Sequence, residues 1–499
     1  MRIKNLLSLF NDCQVVNFYN HEVKSINYDF RKTEKNHLYV AIDIFNYQGR
    51  EHDGHEFINE AVKNGAKAIV VKRLQKVSSA VTQIICNNPR TILESLSAYF
   101  YGYPAKRLIT IGVTGTKGKT SIVYLINNFL EAGGIKTGIF STANFKIGYR
   151  FIPNYTDKIN ETHLTCPESL ELQKSLSDMI KCGTQVAIIE ATSHALKLNR
   201  AAKECQYDIG VISNIQSDHL DFHKTTVDYY RSKEKLFKLL TTSINKKIEK
   251  CAIINADCSK SILIKNRLNL KTITYGIKNK ADILASCIKI KNKFTDFNVG
   301  GIELNSPLIG SENIYNVCAA IAVAQHFGID MLTIKKALKK FSGIPGRMNE
   351  LKNGKGLRIF IDYAHTSESL TTCLKTLKKY TSNRLLVVFG CAGDRDPNKR
   401  PLMGKIATDL ADYVIITSED PRYEDPLQIA KEIVKRVNKT NFMIEIDREE
   451  AIGKAVKMAR KGDMVIITGK GDEKYFEIMG RQIPWSDKKI AQKYLALYH

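Results

Sequence analysis

Residues 108–134, LITIGVTGTKGKTSIVYLINNFLEAGG, constrain the fold more than any other stretch of the chain. An apolar run of strand composition enters a loop holding Gly115 and Gly118, and the loop opens onto an apolar-faced run that ends in a glycine pair. Strand, glycine turn and helix in that order start a parallel α/β layer, not a bundle or a sandwich. The loop departs from the common G-x-x-x-x-G-K-[ST] pattern, because Val113 stands where the first glycine belongs. What remains is a tighter G-x-x-G-K-T of Gly115, Thr116, Lys117, Gly118, Lys119 and Thr120, followed by Ser121. Glycines let backbone N–H groups converge on phosphate oxygens, and the positive end of the helix adds to that field. Lys119 would neutralise the β- and γ-phosphates of ATP and the Thr120 hydroxyl would bind Mg²⁺. Without a ligand, the same residues make an ordinary strand-to-helix turn.

A chain of 499 residues exceeds what one hydrophobic core serves, so several domains are expected. Three α/β domains are predicted. Residues 1–106 form a small one with strands at HLYVAI, AKAIVV and VTQIIC, ending at the break YGYPAK. Residues 107–343 form a central, mostly parallel P-loop ATPase domain, with strands at LITIGV, KTGIFS, QVAIIE, DIGVISN and CAIINA. Residues 344–499, beginning within the linker SGIPGR at 342–347, restart the alternation as a Rossmann-like domain, with LRIFIDYA, RLLVVFG, YVIITS, FMIEI and DMVIITG.

The formal charge of +24 raises the possibility of nucleic-acid binding. The lysines are spread over many segments, and no basic patch is interleaved with aromatics, so solvated faces or attraction of small polyanions explain the charge better. No nucleic-acid partner is therefore expected. The eleven cysteines form no C-x-x-C pair, which points to reduced thiols in a cytoplasm. The apolar run LLSLF is too short for a signal segment or a span, so membrane insertion is not expected.

Open parallel sheets bind ligands outside the carboxyl ends of their strands. Glu190, Asn214, Asp218, His219, Asp362, Asp394, Arg395, Glu419, Asp420 and Gly469 all fall at or just beyond such ends. Glu190 is placed for Mg²⁺. Asp218, His219, Asp221 and His223 crowd six residues, and a histidine ligand keeps Mn²⁺ open beside Mg²⁺. Lys233, in YYRSKEKLF, reads by itself as a solvated helix lysine; it could bind a cation only as a CO₂-derived carbamate.

Together these motifs resemble the Mur ligase family over nearly the whole chain. The family's phosphate loop is the tight G-T-x-G-K-[TS] form, with Asn usual where Lys117 stands. The resemblance implies that Glu190 and His219 bind divalent cations and that Lys233, in Y-Y-x-[AS]-K, is carbamylated. It places Asn313 and Asn316 near adenine, Arg347 near the γ-phosphate, Asp362 on the ribose hydroxyls and His365 nearby. It implies a UDP-muramoyl dipeptide as acceptor, met by Asp29, Arg31, Thr165 and Ser193, and a diamino acid as the incoming amine. Arg422 in SEDPRYEDP would grip the distal carboxylate, with Arg395, Glu419, Asp420, Pro421, Gly469 and Glu473 around the same end; a planar guanidinium suits a carboxylate bidentately. Besides Lys117, five positions differ from the family pattern: Phe30 replaces the serine of D-S-R, Cys166 the second threonine of T-T-P, Glu419 and Asp420 an Asp-Asn pair, and Asp472 a histidine.

The resemblance implies an ATP-dependent amide ligase, ADP-forming, in peptidoglycan precursor synthesis, working as a monomer. ATP would phosphorylate the acceptor carboxylate and the amine would displace phosphate, with SGIPG as a hinge for domain closure. The rivals are a Mur-like paralogue joining another acidic acceptor and amine, a nucleic-acid-dependent P-loop ATPase, and a non-catalytic binding protein with a Mur-like shell.

Overall fold

The computed structural model describes residues 1–10, 12–43, 45–47, 50–153, 164–216, 220–291, 294–351, 353 and 356–498. Packing divides the chain into two compact units: Met1–Ala285 with Ile314–Ile334, and Ser286–Asn313 with Lys335–His499.

The first unit holds two large sheets and a small hairpin, Phe45–Tyr47 with Arg50–His52. The N-terminal one is five-stranded, in the order Gln14–Val16, Thr82–Ile85, Ala68–Val71, His37–Val40, Ser25–Asn27. Only the first pairing is antiparallel. The second sheet runs Thr137–Phe140, Val186–Glu190, Ile109–Thr114, Ile209–Ile212, Cys251–Asn255, Lys271–Gly276, all parallel, with the hairpin Asn144–Ile147 and Arg150–Pro153 added antiparallel at one edge. Its inner strands are buried on both faces, as near-continuous apolar sequence requires.

The N-terminal sheet is fastened to the central one by polar side chains as well as apolar contact. Arg90 pairs with Glu168 at 2.7 Å, and the Tyr28 hydroxyl donates to Glu171 Oε1 at 2.9 Å. Glu94 Oε1, buried, accepts from Ala202 N at 3.1 Å and Glu204 N at 2.9 Å. Burial pushes the Glu94 carboxyl up to about 8 and that of Glu171 to about 7.

The second unit is built on a six-stranded sheet in the order Asn349–Glu350, Arg358–Asp362, Met464–Thr468, Leu385–Phe389, Tyr413–Ile416, Phe442–Ile444. All pairings but the first are parallel. Apolar clusters fill both faces: Leu370, Leu374 and Met403 on one, Ile452, Val456 and Leu495 on the other. Two hairpins complete the unit, Thr295–Val299 with Ile302–Ser306 and Tyr475–Ile478 with Arg481–Pro484. No helix among the described residues is long and apolar enough to cross a membrane.

Candidate active site

The predicted phosphate loop lies at the carboxyl end of Ile109–Thr114, where Val113 is in register with Glu190 and Thr114 with Ile212. Gly115 has φ +139° and Gly118 φ +88°, backbone that side chains disfavour. Space forbids a side chain as well: a Cβ on Gly115 would sit 1.9 Å from Ser213 Oγ, and one on Gly118 2.4 Å from Asn316 Oδ1. The loop is clamped by the neighbouring strand end. Thr116 N donates to Asn214 O at 2.8 Å and Lys117 N to Asn214 Oδ1 at 3.1 Å. Asn214 Nδ2 and Ser213 Oγ donate back to Lys117 O, and the Thr116 hydroxyl meets the Tyr229 hydroxyl at 3.0 Å. Gly118 caps the helix Lys119–Ala132 without a side chain, so no side chain competes for the first N–H groups. Lys119 Nζ donates to Gly115 O at 3.1 Å and Thr116 O at 2.9 Å. Ser121 lies half-buried in the first helical turn.

Glu190 is 2% exposed. Its carboxylate accepts from Thr120 Oγ1 at 3.2 and 3.1 Å, from Thr142 N at 3.0 Å and from Thr142 Oγ1 at 3.2 Å. No ion pair among the described residues includes it. A buried carboxylate held only by neutral donors needs positive charge, and with the Thr120 hydroxyl it forms the oxygen-rich donor set that a hard divalent cation takes. The residues fit Mg²⁺. His219, with Asp218 and the side chain of Asp221, lies outside the described residues. His223 is an interior residue, 0% exposed, with Nε2 3.0 Å from Ser193 Oγ and Nδ1 3.6 Å from Asp228.

Lys233 is not a solvated helix lysine. It is 1% exposed, on the buried stripe of helix Thr226–Thr242 with Tyr229, Leu236, Phe237 and Leu240. The solvated reading weighed its charge and overlooked that spacing, which sets residues 229, 233, 236 and 240 on one face. Its Nζ donates to Gly115 O at 2.6 Å, over the Tyr229 ring at 4.4 Å. A carbamate there would keep an N–H for Gly115 while adding two oxygens.

At the acceptor end, Asp29 receives Arg31 in a fork of 2.9 and 2.8 Å, and Phe30 stacks on Phe57 with centroids 4.5 Å apart. Thr165 Oγ1 lies 3.1 Å from Thr142 Oγ1, so one threonine touches both Glu190 and the threonine expected to meet the acceptor. Cys166 is buried. Two residues went unnamed in the sequence reading. Thr142 carries no motif of its own. Arg200 is 6% exposed, its Nε is buried without a partner, and burial pulls its guanidinium below the usual range. Among the described residues that Nε has no partner, which leaves an interior donor suited to an anionic group.

In the second unit, Asp362 is in register with Thr468. Its carboxylate accepts from Met348 N at 2.7 Å and Ala364 N at 2.8 Å, and burial raises it above the usual range. Arg347 lies over the Tyr363 ring at 5.1 Å, and burial holds His365 down at about 4. Asn313 Nδ2 donates to Ile309 O at 2.9 Å. Arg422 sits at φ +52°, held by Nε to Glu477 Oε2 at 3.2 Å and Nη1 to Gly393 O at 3.3 Å. Arg395 faces the charge of Arg422; desolvation first, then that charge, lowers its guanidinium. Pro421 leads into Arg422, its carbonyl accepting from Glu424 N at 2.9 Å. Lys470, 1% exposed, donates to both Asp420 oxygens at 2.7 Å and pairs with Glu473 at 2.5 Å. Burial works against its charge, yet the two carboxylates keep its ammonium above the usual range. Glu419 is buried with Oε2 unpartnered among the described residues, and burial pushes it to about 7. Gly469, at φ +105°, packs against it, and a Cβ there would meet Glu419 Oε2 at 2.6 Å.

A glycine loop feeding a helix from a parallel strand, a cation-ready carboxylate on the adjacent strand and a further α/β sheet edged with guanidinium groups define a nucleotide-driven α/β enzyme of the P-loop class. The chain belongs to the Mur ligase family, ATP-dependent ligases: the Mur ligase middle domain matches residues 113–324, and the Mur ligase glutamate ligase domain residues 346–471. Relatives from Bacillus cereus and Bacillus velezensis, both called UDP-N-acetylmuramoyl-L-alanyl-D-glutamate–2,6-diaminopimelate ligase, are 36% and 38% identical over 498 and 496 residues. The alignments cover 99% and 98% of this chain and 98% of each relative. A solved structure with that same enzyme name superposes with a TM-score of 0.64 at 31% identity, covering 96% of both chains. MurF from Acinetobacter baumannii, 18% identical with a TM-score of 0.63 over 93% of this chain and 94% of its own, shares the fold.

Proposed function

We propose that this protein joins meso-diaminopimelate to UDP-N-acetylmuramoyl-L-Ala-D-Glu, using ATP, in peptidoglycan precursor synthesis. The observation that carries the choice of amine is Arg422, locked by Glu477 and Gly393 with Arg395 beside it. Two guanidinium groups at one sheet edge call for a carboxylate on the incoming amine, which lysine lacks at its distal end. Glu419 faces the adjacent ammonium, and Glu473, paired with Lys470, borders the same end.

The reaction transfers the terminal phosphoryl group of ATP to the acceptor carboxylate, and the amine then attacks the acyl phosphate with loss of inorganic phosphate. Gly115 to Ser121 cradle the phosphates, Lys119 and Arg347 neutralise them, Asn313 and Asn316 serve the adenine, and Asp362 the ribose. Thr120, Glu190, His219 and a carbamylated Lys233 would hold Mg²⁺, or Mn²⁺, which supplies charge neutralisation between phosphate and acceptor. Asp29, Arg31, Thr165, Ser193 and Arg200 receive the acceptor. The working division is an acceptor domain at 1–106, an ATP domain at 107–343 and an amine domain at 344–499, in a cytoplasmic monomer.

A second reading has one observation in its favour. Phe30 stacks on Phe57 and offers no hydroxyl at the acceptor end, which suits a paralogue with a different acidic acceptor. Phosphate release with ATP, Mg²⁺ and the UDP-dipeptide, adding meso-diaminopimelate, L-lysine or no amine, separates the two. A UDP-tripeptide by mass spectrometry with diaminopimelate alone is expected; no product from ATP-binding protein would transfer the case to the paralogue.

A further inference from the structure

Arg448 opens the helix Arg448–Met458 and is 2% exposed, yet nothing in the proposed chemistry uses it. All three of its guanidinium nitrogens are engaged. Nε and Nη2 fork onto Asp487 at 2.9 and 2.8 Å, Nη2 also donates to Thr468 O at 2.8 Å, and Nη1 to Ser418 O at 3.2 Å. The two carbonyls are significant. Thr468 ends the strand that leads into Gly469, Lys470 and Glu473; Ser418 follows the strand that leads into Glu419, Asp420 and Arg422. Those strands are not neighbours, because Leu385–Phe389 lies between them. Beyond the strand ends the two loops meet directly, through Lys470 on Asp420 and through Arg422 N on Glu477 O and Met479 N on Arg422 O. Arg448 bridges that gap from behind, and its charge also faces Glu419.

Asp487 extends the connection. It accepts from the indole N–H of Trp485 at 2.8 Å. Trp485 is the only tryptophan in the chain, 5.1 Å from the Phe476 ring, with its backbone N–H on Lys474 O at 2.7 Å. The indole is thus tied both to Arg448 and to the chain that follows Glu473.

We propose that Arg448 is a positioning residue for amine selection: behind the Lys470–Asp420 pair, it holds the strand ends that carry the Glu419–Arg422 and Gly469–Glu473 loops at a set spacing without touching the amine. Trp485, bonded to the same Asp487, reports that spacing. The inference rests on the proposed function for the identity of the amine. Its physical basis is that a planar fork with five donors can span a carboxylate and two carbonyls, which an ammonium cannot.

The test compares wild type, Arg448→Lys and Asp487→Asn as full-length protein. Steady-state rates are taken with meso-diaminopimelate varied and ATP and acceptor saturating, alongside titration of Trp485 emission by the amine in the presence of ADP and acceptor. In Arg448→Lys, KM for the amine should rise about tenfold or more while kcat and KM for ATP stay within about twofold, because displaced binding groups lose affinity steeply. The emission midpoint should move by the same factor. An equal fall in kcat at unchanged amine KM, a matching change in KM for ATP, or wild-type behaviour would each overturn the proposal. If Arg448→Lys does not fold, Asp487→Asn, which keeps the shape and loosens the fork, must show the same amine-selective shift. Should wild type fail to turn over diaminopimelate, the choice of amine falls and the comparison is run with whichever amine moves Trp485 emission; no response to any amine overturns the positioning role itself.

Discussion

The phosphate end of the first unit and the amine end of the second handle charge in opposite ways. Around the phosphate loop, position is set by neutral side chains, Asn214, Ser213, Thr116 and Thr142, and by backbone carbonyls on which Lys119 and Lys233 rest. Glu190 is left buried with no cationic partner among the described residues. Around Arg422, position is set by ions that already neutralise one another: Asp420 and Glu473 on Lys470, Glu477 on Arg422, Asp487 on Arg448. The first arrangement stores an unmet charge for its ligand. The second spends most of its charges on its own architecture and leaves few, chiefly Glu419, Arg395 and the remaining donors of Arg422, for recognition.

The sharpest way to break this contrast is Glu190→Gln. Removing a charge that only a cation would satisfy should cost about a thousandfold in kcat, with melting temperature unchanged or raised, measured by phosphate release and calorimetry. Lys470→Met should do the reverse in kind. It leaves Asp420 and Glu473 buried without a counter-charge, and about 3–5 kcal/mol of stability should be lost in denaturant titration. Arg422→Lys keeps the charge but loses the planar fork; kcat/KM for diaminopimelate should fall about tenfold or more, with KM for ATP unchanged. An equal effect on ATP would remove Arg422 from amine selection.

The smallest effect tests the seam between the two sheets of the first unit. Glu94 is raised to about 8 when folded, so the folded state binds its proton more tightly than the unfolded chain does. Unfolding then releases a proton, and stability falls as pH rises from about 4.5 toward 8. Glu94→Gln keeps an oxygen for Ala202 N and Glu204 N without the charge. Its melting temperature relative to wild type should climb by a few degrees between pH 5 and pH 8; a pH-independent difference would show that Glu94 does not titrate in this range.

Local pattern revealed the residues that stand at strand ends. Glu190, Asn214, Asp362 and Gly469 were legible because a parallel sheet places such positions at a ligand edge, and the glycines of the loop because only they tolerate its backbone. Lys233 needed a second reading of the same helix: its charge suggests solvent, whereas its spacing from Tyr229 and Leu236 puts it inside. Thr142, Arg200 and Arg448 were invisible for a different reason. Thr142 acts on Glu190, 48 residues away, and Arg448 on carbonyls 20 and 30 residues away. Backbone acceptors carry no sequence signal at all. The hairpin that pins Arg422 through Glu477 was likewise hidden, because four-residue strands alternate too briefly to stand out.

Lys119 rests with its ammonium on the carbonyls of Gly115 and Thr116, the loop it serves. The loop therefore carries an internal competitor for the charge it offers. A nucleotide must win that ammonium from two carbonyl dipoles, which moderates how tightly it is held. A departing product returns the ammonium to acceptors already in place. For an enzyme that must discharge one nucleotide per bond made, such a self-satisfied resting loop favours turnover over retention.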